Sequence, residues 1–223
     1  SDSQRNEIAR NLFPSIEQLH DWQHRDLEVI MAPEQGTDPL AITASTGGGK
    51  SLVYQFPALV DALTYARRLT LVVSPLKALM REQCQKLWEA GFVFMVDRLS
   101  GDMTQSEVQD TCRRVADGEI CLLFVAPERF RSRLFQAVLK ERMDRDGRLQ
   151  YWVFDEAHCI SLWGHSFRPD YLYAAERARD WRRLYTDDGI TPVLLLTATL
   201  PAQVCQDIDK LFSRHEAATN ATN

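Results

Sequence analysis

Six short runs of consecutive apolar residues recur along the chain, at 40–43, 69–74, 92–96, 120–125, 149–154 and 193–196. Each is four to six residues long, rich in Val, Leu, Ile and Phe, and bounded by Pro, Gly, Ser or Asp. Such runs suit strands buried on both faces. Between them the apolar positions change to helical spacing. Ile16, Leu19, Leu27, Ile30 and Met31 form one stripe, and Leu52, Val53, Phe56, Leu59 and Val60 a second. Further helices are expected over 76–89, 104–117, 130–143, 171–185 and 201–212. Residues 1–14 are polar, with Phe13-Pro14 as a break, and are expected to be a flexible lead-in. The small polar residues at 213–223 are expected to form a disordered linker. One domain, 15–212, lies between.

Strands alternating with helices predict an α/β fold with a mostly parallel central sheet covered on both faces. In such sheets, sites form at the carboxyl ends of strands. Five polar stretches fall there: 44–51, Ser74-Pro75, Ala126-Pro127, Asp155-Glu156 and Thr197 to Thr199.

The first stretch carries the clearest chemistry. An apolar strand breaks into Thr46-Gly47-Gly48-Gly49-Lys50-Ser51 and then enters a helix. Strand, glycine loop and helix are the context of a phosphate-binding loop. The glycines let backbone N–H groups turn towards an anion, and the helix adds the positive end of its dipole. Lys50 is placed for the β- and γ-phosphates and Ser51 for Mg²⁺. The usual pattern opens with Gly, where this chain has Ala44. At the carboxyl end of the fifth run, Asp155 suits Mg²⁺ and Glu156 the polarising of an attacking water, the division of labour that phosphoryl transfer to water needs. Thr197 and Thr199 have hydroxyls able to bond the acidic turn, and His158 follows it. Gln23, upstream, can donate and accept at once and so match the N6/N7 edge of adenine.

Bulk properties narrow the class. The 223 residues are 45% hydrophobic and 26% charged, an ordinary globular composition. A net charge of −5 argues against a protein that coats nucleic acid by charge alone, though not against a local groove. No apolar run is long enough to span a membrane. Five cysteines without a Cys-x-x-Cys pair read as reduced thiols of a cytoplasmic protein, not as zinc ligands.

Taken together, Gly-Gly-Gly-Lys-Ser (47–51), Asp-Glu-Ala-His (155–158) and Thr-Ala-Thr (197–199) resemble the motifs of a superfamily 2 helicase. The longer runs 46–59, 72–80 (Val-Val-Ser-Pro-Leu-Lys-Ala-Leu-Met), 126–129 (Ala-Pro-Glu-Arg) and 155–171 resemble the RecQ family more narrowly. The resemblance spans about 15–212 and implies the first RecA-like motor lobe of an ATP-dependent DNA helicase moving 3′ to 5′. ATP and Mg²⁺ would be its cofactors. DNA and a second RecA-like lobe beyond residue 223 would be its partners, and its location would be wherever the DNA lies. By the same resemblance, Trp163, His165, Phe167 and Arg168 belong to an aromatic-rich loop that couples single-stranded DNA to the ATP site. Thr197 and Thr199, read from their hydroxyls as able to relay the state of the acidic turn, and His158 are expected to couple the two sites. Ser74, Lys77, Ser100 and Arg129 sit in motifs that touch the DNA backbone. The family's opening motif, Phe-Arg, two residues, then Gln, is not met cleanly. The closest register puts Asp26 at the Gln position; Leu-His-Asp-Trp-Gln (19–23) instead resembles the adenine motif of other superfamily 2 motors, and Gln23 is preferred. Two other readings stand beside the DNA motor: a DEAH-type RNA helicase, and a nucleotide-dependent scaffold that binds ATP without translocating.

Overall fold

The computed structural model describes residues 1–32, 38–45, 47–64, 67–161, 168–186 and 189–212. Six strands, β1 (Leu40–Thr43), β2 (Thr70–Val73), β3 (Val96–Leu99), β4 (Leu122–Val125), β5 (Tyr151–Asp155) and β6 (Val193–Thr197), form one sheet in the order β1-β6-β5-β2-β4-β3. All five pairings are parallel. Every strand therefore ends at the same edge, and that edge carries the motifs.

The unbroken apolar runs follow from this arrangement. Side chains alternate across a strand, so a sheet covered on both sides needs apolar residues at every position. Leu71, Val73, Leu123, Val125, Trp152, Phe154, Val193 and Leu195 face one layer. Val72, Leu122, Phe124, Tyr151, Val153, Leu194 and Leu196 face the other. The first layer is made by α5 (Gln105–Ala116), α6 (Arg133–Asp146), α7 (Pro169–Leu184) and α8 (Ala202–Phe212). The second is made by α1 (Asp2–Leu12), α2 (Asp21–Ile30), α3 (Leu52–Thr64) and α4 (Lys77–Leu87).

Three expectations are corrected. Residues 2–12 are a helix, not a flexible lead-in: Ala9, Leu12 and Phe13 are buried in the second layer. The stretch 15–20 is not helical; α2 begins only at Asp21. The third strand starts at Val96 rather than 92. The chain leaves α4 through a wide turn (Trp88–Phe92) broken at Gly91, which has φ +97°. The Trp88 indole then donates to Val96 O at 2.8 Å, and Phe94 is left 78% exposed. One boundary also moves: the helix expected to end at 143 runs to Asp146 and stops at Gly147.

All five cysteines are free and four are buried. Among the described residues, no helix is long and apolar enough to cross a membrane.

Candidate active site

The glycine loop leaves β1 and feeds α3. Gly47 and Gly49 have φ of +77° and +79°, backbone that L side chains rarely adopt. The turn closes through Gly48 N donating to Ser45 O at 3.0 Å and Leu52 N to Gly49 O at 3.2 Å. Thr46 lies outside the described residues. A cleft of about 380 Å³ opens above the loop, lined by Gly47, Gly49, Lys50, Ser51, Asp155 and Glu156, with α4 contributing Leu79, Glu82, Gln83 and Lys86 as its far wall. The lysine of the loop and the acidic pair thus meet, although about a hundred residues separate them in sequence.

The electrostatics agree with that meeting. Burial and the neighbouring Glu156 charge push the Asp155 carboxyl up to about 6, while Lys50 pulls it down. The Ser74 hydroxyl, 2% exposed, weighs on the same carboxyl, as the smallest of its influences. Glu156 sits in the left-handed region at φ +57°, ψ +48°, a conformation that costs a non-glycine residue on the order of 1 kcal/mol. This strained turn separates the two carboxylates as the chain leaves β5. Asp155, with Ser51 across the cleft, is a donor set for a hard cation. One carboxylate and one hydroxyl suit an ion such as Mg²⁺, which keeps waters and takes its remaining oxygens from phosphate. Among the described residues there is no group of three or more His, Cys, Asp or Glu able to cage a metal by protein ligands alone.

Behind the acidic turn, Thr197 donates its hydroxyl proton to Thr199 O at 2.7 Å. Its oxygen lies 3.3 Å from Thr199 N and 3.1 Å from His158 Nδ1. Which of Thr197 Oγ1 and His158 Nδ1 donates depends on the imidazole tautomer. The same Nδ1 lies 3.4 Å from Glu156 Oε2. Glu156, His158, Thr197 and Thr199 are therefore one connected network between β5 and β6.

Gln23 occupies the other side of the loop. Its Oε1 accepts from His20 N at 2.8 Å and its Nε2 donates to Gly49 O at 3.0 Å. A second cleft, of about 730 Å³, is lined by residues 15–21, Gln23, the three glycines and Leu52. Gln23 borders it, whereas Asp26 does not. The amide keeps one N–H and one lone pair beyond the two bonds it makes, enough for one bidentate partner.

Further along the sheet edge, Lys77, Gly101, Glu128 and Arg129 cluster. Lys77 Nζ lies 3.8 Å from Glu128 Oε1, and a Cβ added to Gly101 would meet that Nζ at 2.8 Å. Arg129 donates to Ser100 O. The Ser100 side chain is fully buried, donating to Asp102 and accepting from Arg98 Nη1 at 2.7 Å. The Ser74 side chain is buried as well. Of the four residues expected at a nucleic-acid backbone, Lys77 and Arg129 present side chains at this edge, whereas the two serine hydroxyls face inward. Arg168 donates to Pro75 O at 3.0 Å, tying the start of α7 to the end of β2. Trp163, His165 and Phe167 lie outside the described residues.

Sequence reasoning assigned no role to Tyr171. It is fully buried, and its hydroxyl touches Val73 O at 3.2 Å and also Asp155 O. One side chain of α7 thus pins the ends of β2 and β5 together. The signal was a tyrosine closing an otherwise polar run, Arg-Pro-Asp-Tyr (168–171). The Gln83 wall was signalled by a polar residue inside an apolar stripe. Gln55 Nε2 donates to Gln83 Oε1 at 2.8 Å, joining α3 to α4 beneath the cleft.

Gly49→Ala tests the loop. The new Cβ would lie 2.8 Å from Gln23 Nε2 in a backbone that disfavours it. The left-handed backbone alone costs about 1–2 kcal/mol. A lowered melting midpoint is expected, with at least about tenfold weaker triphosphate binding, equivalent to 1.4 kcal/mol. Calorimetric melting and a nucleotide titration check both.

Comparison with known proteins agrees with the geometry. A family model described as DEAD/DEAH box helicase matches residues 21–208. The ATP-dependent helicase SGS1 of Saccharomyces cerevisiae is 35% identical over 190 residues, 85% of this chain and 12% of that protein. The ATP-dependent DNA helicase RecQ of Haemophilus influenzae is 36% identical over 201 residues, 90% of this chain and 29% of its own length. The chain thus spans less than a third of either relative. Among solved structures, the DUF1998 helicase MrfA bound to DNA and AMPPNP superposes with a TM-score of 0.68 at 20% identity, covering 92% of this chain and 27% of that one, which speaks to the fold. With a phosphate loop, a facing Asp-Glu-Ala-His turn and a parallel RecA-like sheet in place, the chain belongs to the DEAD/DEAH box helicase family, and its sequence is RecQ-like.

Proposed function

We propose that this chain is the nucleotide-binding first lobe of a RecQ-like, ATP-dependent DNA motor. The observation that carries the reading is the single cleft in which Lys50 and Ser51 face Asp155 and Glu156. Lys50 binds the β- and γ-phosphates. Ser51 and Asp155 would hold Mg²⁺, which would supply charge neutralisation on the phosphate. Glu156 orients the attacking water and accepts its hydrogen bond. Gln23 reads the adenine edge from the neighbouring cleft. His158, Thr197 and Thr199 report the state of Glu156 across to β6.

The same strand edge serves DNA. Lys77 and Arg129 contact backbone phosphates, with the Ser74 and Ser100 region contributing main chain. Arg168, with Trp163, His165 and Phe167, forms the sensing loop, where aromatic stacking on bases is worth roughly 1–3 kcal/mol per base. A second RecA-like lobe completes the site and supplies an arginine, a contribution of roughly 10³–10⁵ in rate in related phosphate-loop enzymes. The lobe alone is therefore expected to bind nucleotide modestly, hydrolyse it very slowly and unwind nothing. The protein's place of work is wherever the cell's DNA lies.

The test is Mg²⁺-ATP binding to the wild-type chain and to Lys50→Ala, followed by DNA and RNA binding of equal-length single strands. The reading expects a loss of about tenfold or more for Lys50→Ala, from a missing charge-assisted contact of about 1.5–3 kcal/mol. It expects DNA to bind at least as well as RNA. Equal ATP binding by both chains would remove it.

A further inference from the structure

Helix α1 lies outside both clefts, yet it is wired to the phosphate loop. Asn6 Oδ1 accepts from Leu19 N at 2.8 Å. The next residue, His20, donates its N–H to Gln23 Oε1 at 2.8 Å, and Gln23 Nε2 donates to Gly49 O at 3.0 Å. Three hydrogen bonds thus run from α1 through the irregular stretch 13–20 to the carbonyl of a loop glycine. Leu19 and Gln23 are 2% and 3% exposed, so water does not compete freely for these bonds.

The helix is itself well held. Ala9 and Leu12 are buried in the second layer. Arg5 donates to Asp2 at 3.1 Å, to His24 O at 3.2 Å and to Glu28 at 3.2 Å, clasping α2. The stretch 15–20, by contrast, has no regular structure, yet it walls the 730 Å³ cleft beside Gln23. A wall without a ladder of its own is placed only as well as its tethers place it.

We infer that Asn6 is a positioning residue for base recognition. It fixes the Leu19–His20 backbone, which in turn orients the Gln23 amide against the nucleobase. The inference rests on the reading of the 730 Å³ cleft as the base site. It predicts that Asn6 affects which base is preferred, not how tightly the triphosphate is held.

The experiment compares ATP with UTP, which carry the same triphosphate and different bases. Competition binding in Mg²⁺ is measured for the wild-type chain, Asn6→Ala and Asn6→Asp. The wild type is expected to prefer ATP. Asn6→Ala should cut the ATP:UTP ratio by about fivefold to tenfold, the loss of one net hydrogen bond's worth of orientation. UTP affinity should stay within about twofold. Asn6→Asp keeps an acceptor oxygen at the same place and should restore the ratio. An unchanged ratio in Asn6→Ala overturns the inference. So does an equal loss for both nucleotides, which would mark a purely structural role. If Asn6→Ala does not stay folded, Asn6→Gln, which displaces the oxygen by one methylene, is compared on the same ratio. A wild type that binds both nucleotides equally would instead sink the base-site reading and this inference with it, and a wild type that binds neither would sink the nucleotide site.

Discussion

Asp155→Asn is expected to make the lobe more stable and useless at the same time. The Asp155 carboxyl is raised from 3.8 to about 6 by burial and by Glu156. A native pKa above the unfolded one means that the folded state holds the proton more tightly. Below about pH 3 both states are protonated and the residue costs nothing. As pH rises from about 4 to 6 the unfolded chain ionises first, and stability falls. Above about 6 the penalty is complete. One pKa unit is worth about 1.4 kcal/mol, so with a discount for partial exposure the penalty at neutral pH is about 1–3 kcal/mol. Asparagine carries no charge and removes it. The melting midpoint of Asp155→Asn should rise by roughly 2–4 °C per kcal/mol relative to wild type at pH 7.5, and the difference should shrink as pH falls through about 5 and vanish below about pH 3. Mg²⁺-ATP should then stabilise the wild type and leave the variant almost unmoved, because the ligand that relieves the penalty has lost its carboxylate. A variant less stable than wild type at pH 7.5, or one still stabilised by Mg²⁺-ATP to the same extent, would contradict the account. The trade is physically ordinary: a site built to receive a cation is a site of unrelieved negative charge until the cation arrives.

That tension explains why this site was legible in the sequence. Lys50, Asp155 and Glu156 are charged residues placed at the ends of apolar strands, and such placement has few structural uses. The strands were legible for a related reason, since only a doubly covered parallel sheet needs runs such as Leu-Leu-Phe-Val with no polar alternation. Helix α1 was not legible. Its buried face amounts to Ala9 and Leu12, with Ile8 partly buried beside them, in a segment otherwise made of Asp, Ser, Gln, Arg, Asn and Glu, and the stripe is too thin to stand out. Pro14 was taken as a sign of irregular chain, when it only follows the end of the helix. The inward turn of Ser74 and Ser100 was equally hidden. A serine at a strand end can face solvent or core, and the decision lies with neighbours such as Arg98 and Asp102 that only the fold assembles. Tyr171 belongs to the same class, for its partners are main-chain carbonyls of strands far away in sequence.

The second large effect lies at the opposite end of the sheet and should leave the site untouched. Arg142 is 1% exposed, yet it is an arginine in a hydrophobic layer. Its guanidinium donates to Val115 O at 3.0 Å, to Ile120 O at 2.9 Å and to Arg67 O, and it pairs with Asp146, itself 11% exposed. It therefore gathers the end of α5, the approach to β4 and the approach to β2 around one planar group. Arg67 and Ile120 lie outside regular structure, where no ladder supplies a partner, and Val115 lies in the last turn of α5. Removing the guanidinium takes a donor from three carbonyls and from a nearly buried carboxylate, although Gly118 N still serves Val115 O at 3.2 Å and Arg145 Nε still serves Asp146 at 2.9 Å. Breaking one side of a buried, hydrogen-bonded charge set typically costs about 3–5 kcal/mol. Arg142→Ala should lose that amount in denaturant titrations, with the slope against denaturant unchanged. Arg142→Lys should recover little, because one ammonium cannot serve three carbonyls in the plane of a guanidinium fork. Below its melting range, however, Arg142→Ala should bind Mg²⁺-ATP as the wild type does. Arg142 contacts the end of α5, Asp146 and the amino-terminal approaches of β2 and β4, whereas the phosphate loop, the acidic turn and the Thr197 network all lie at the carboxyl ends of their strands. A stable Arg142→Ala lobe would refute the tie, and a destabilised one that also lost nucleotide affinity in its folded form would show that the two ends of the sheet are coupled.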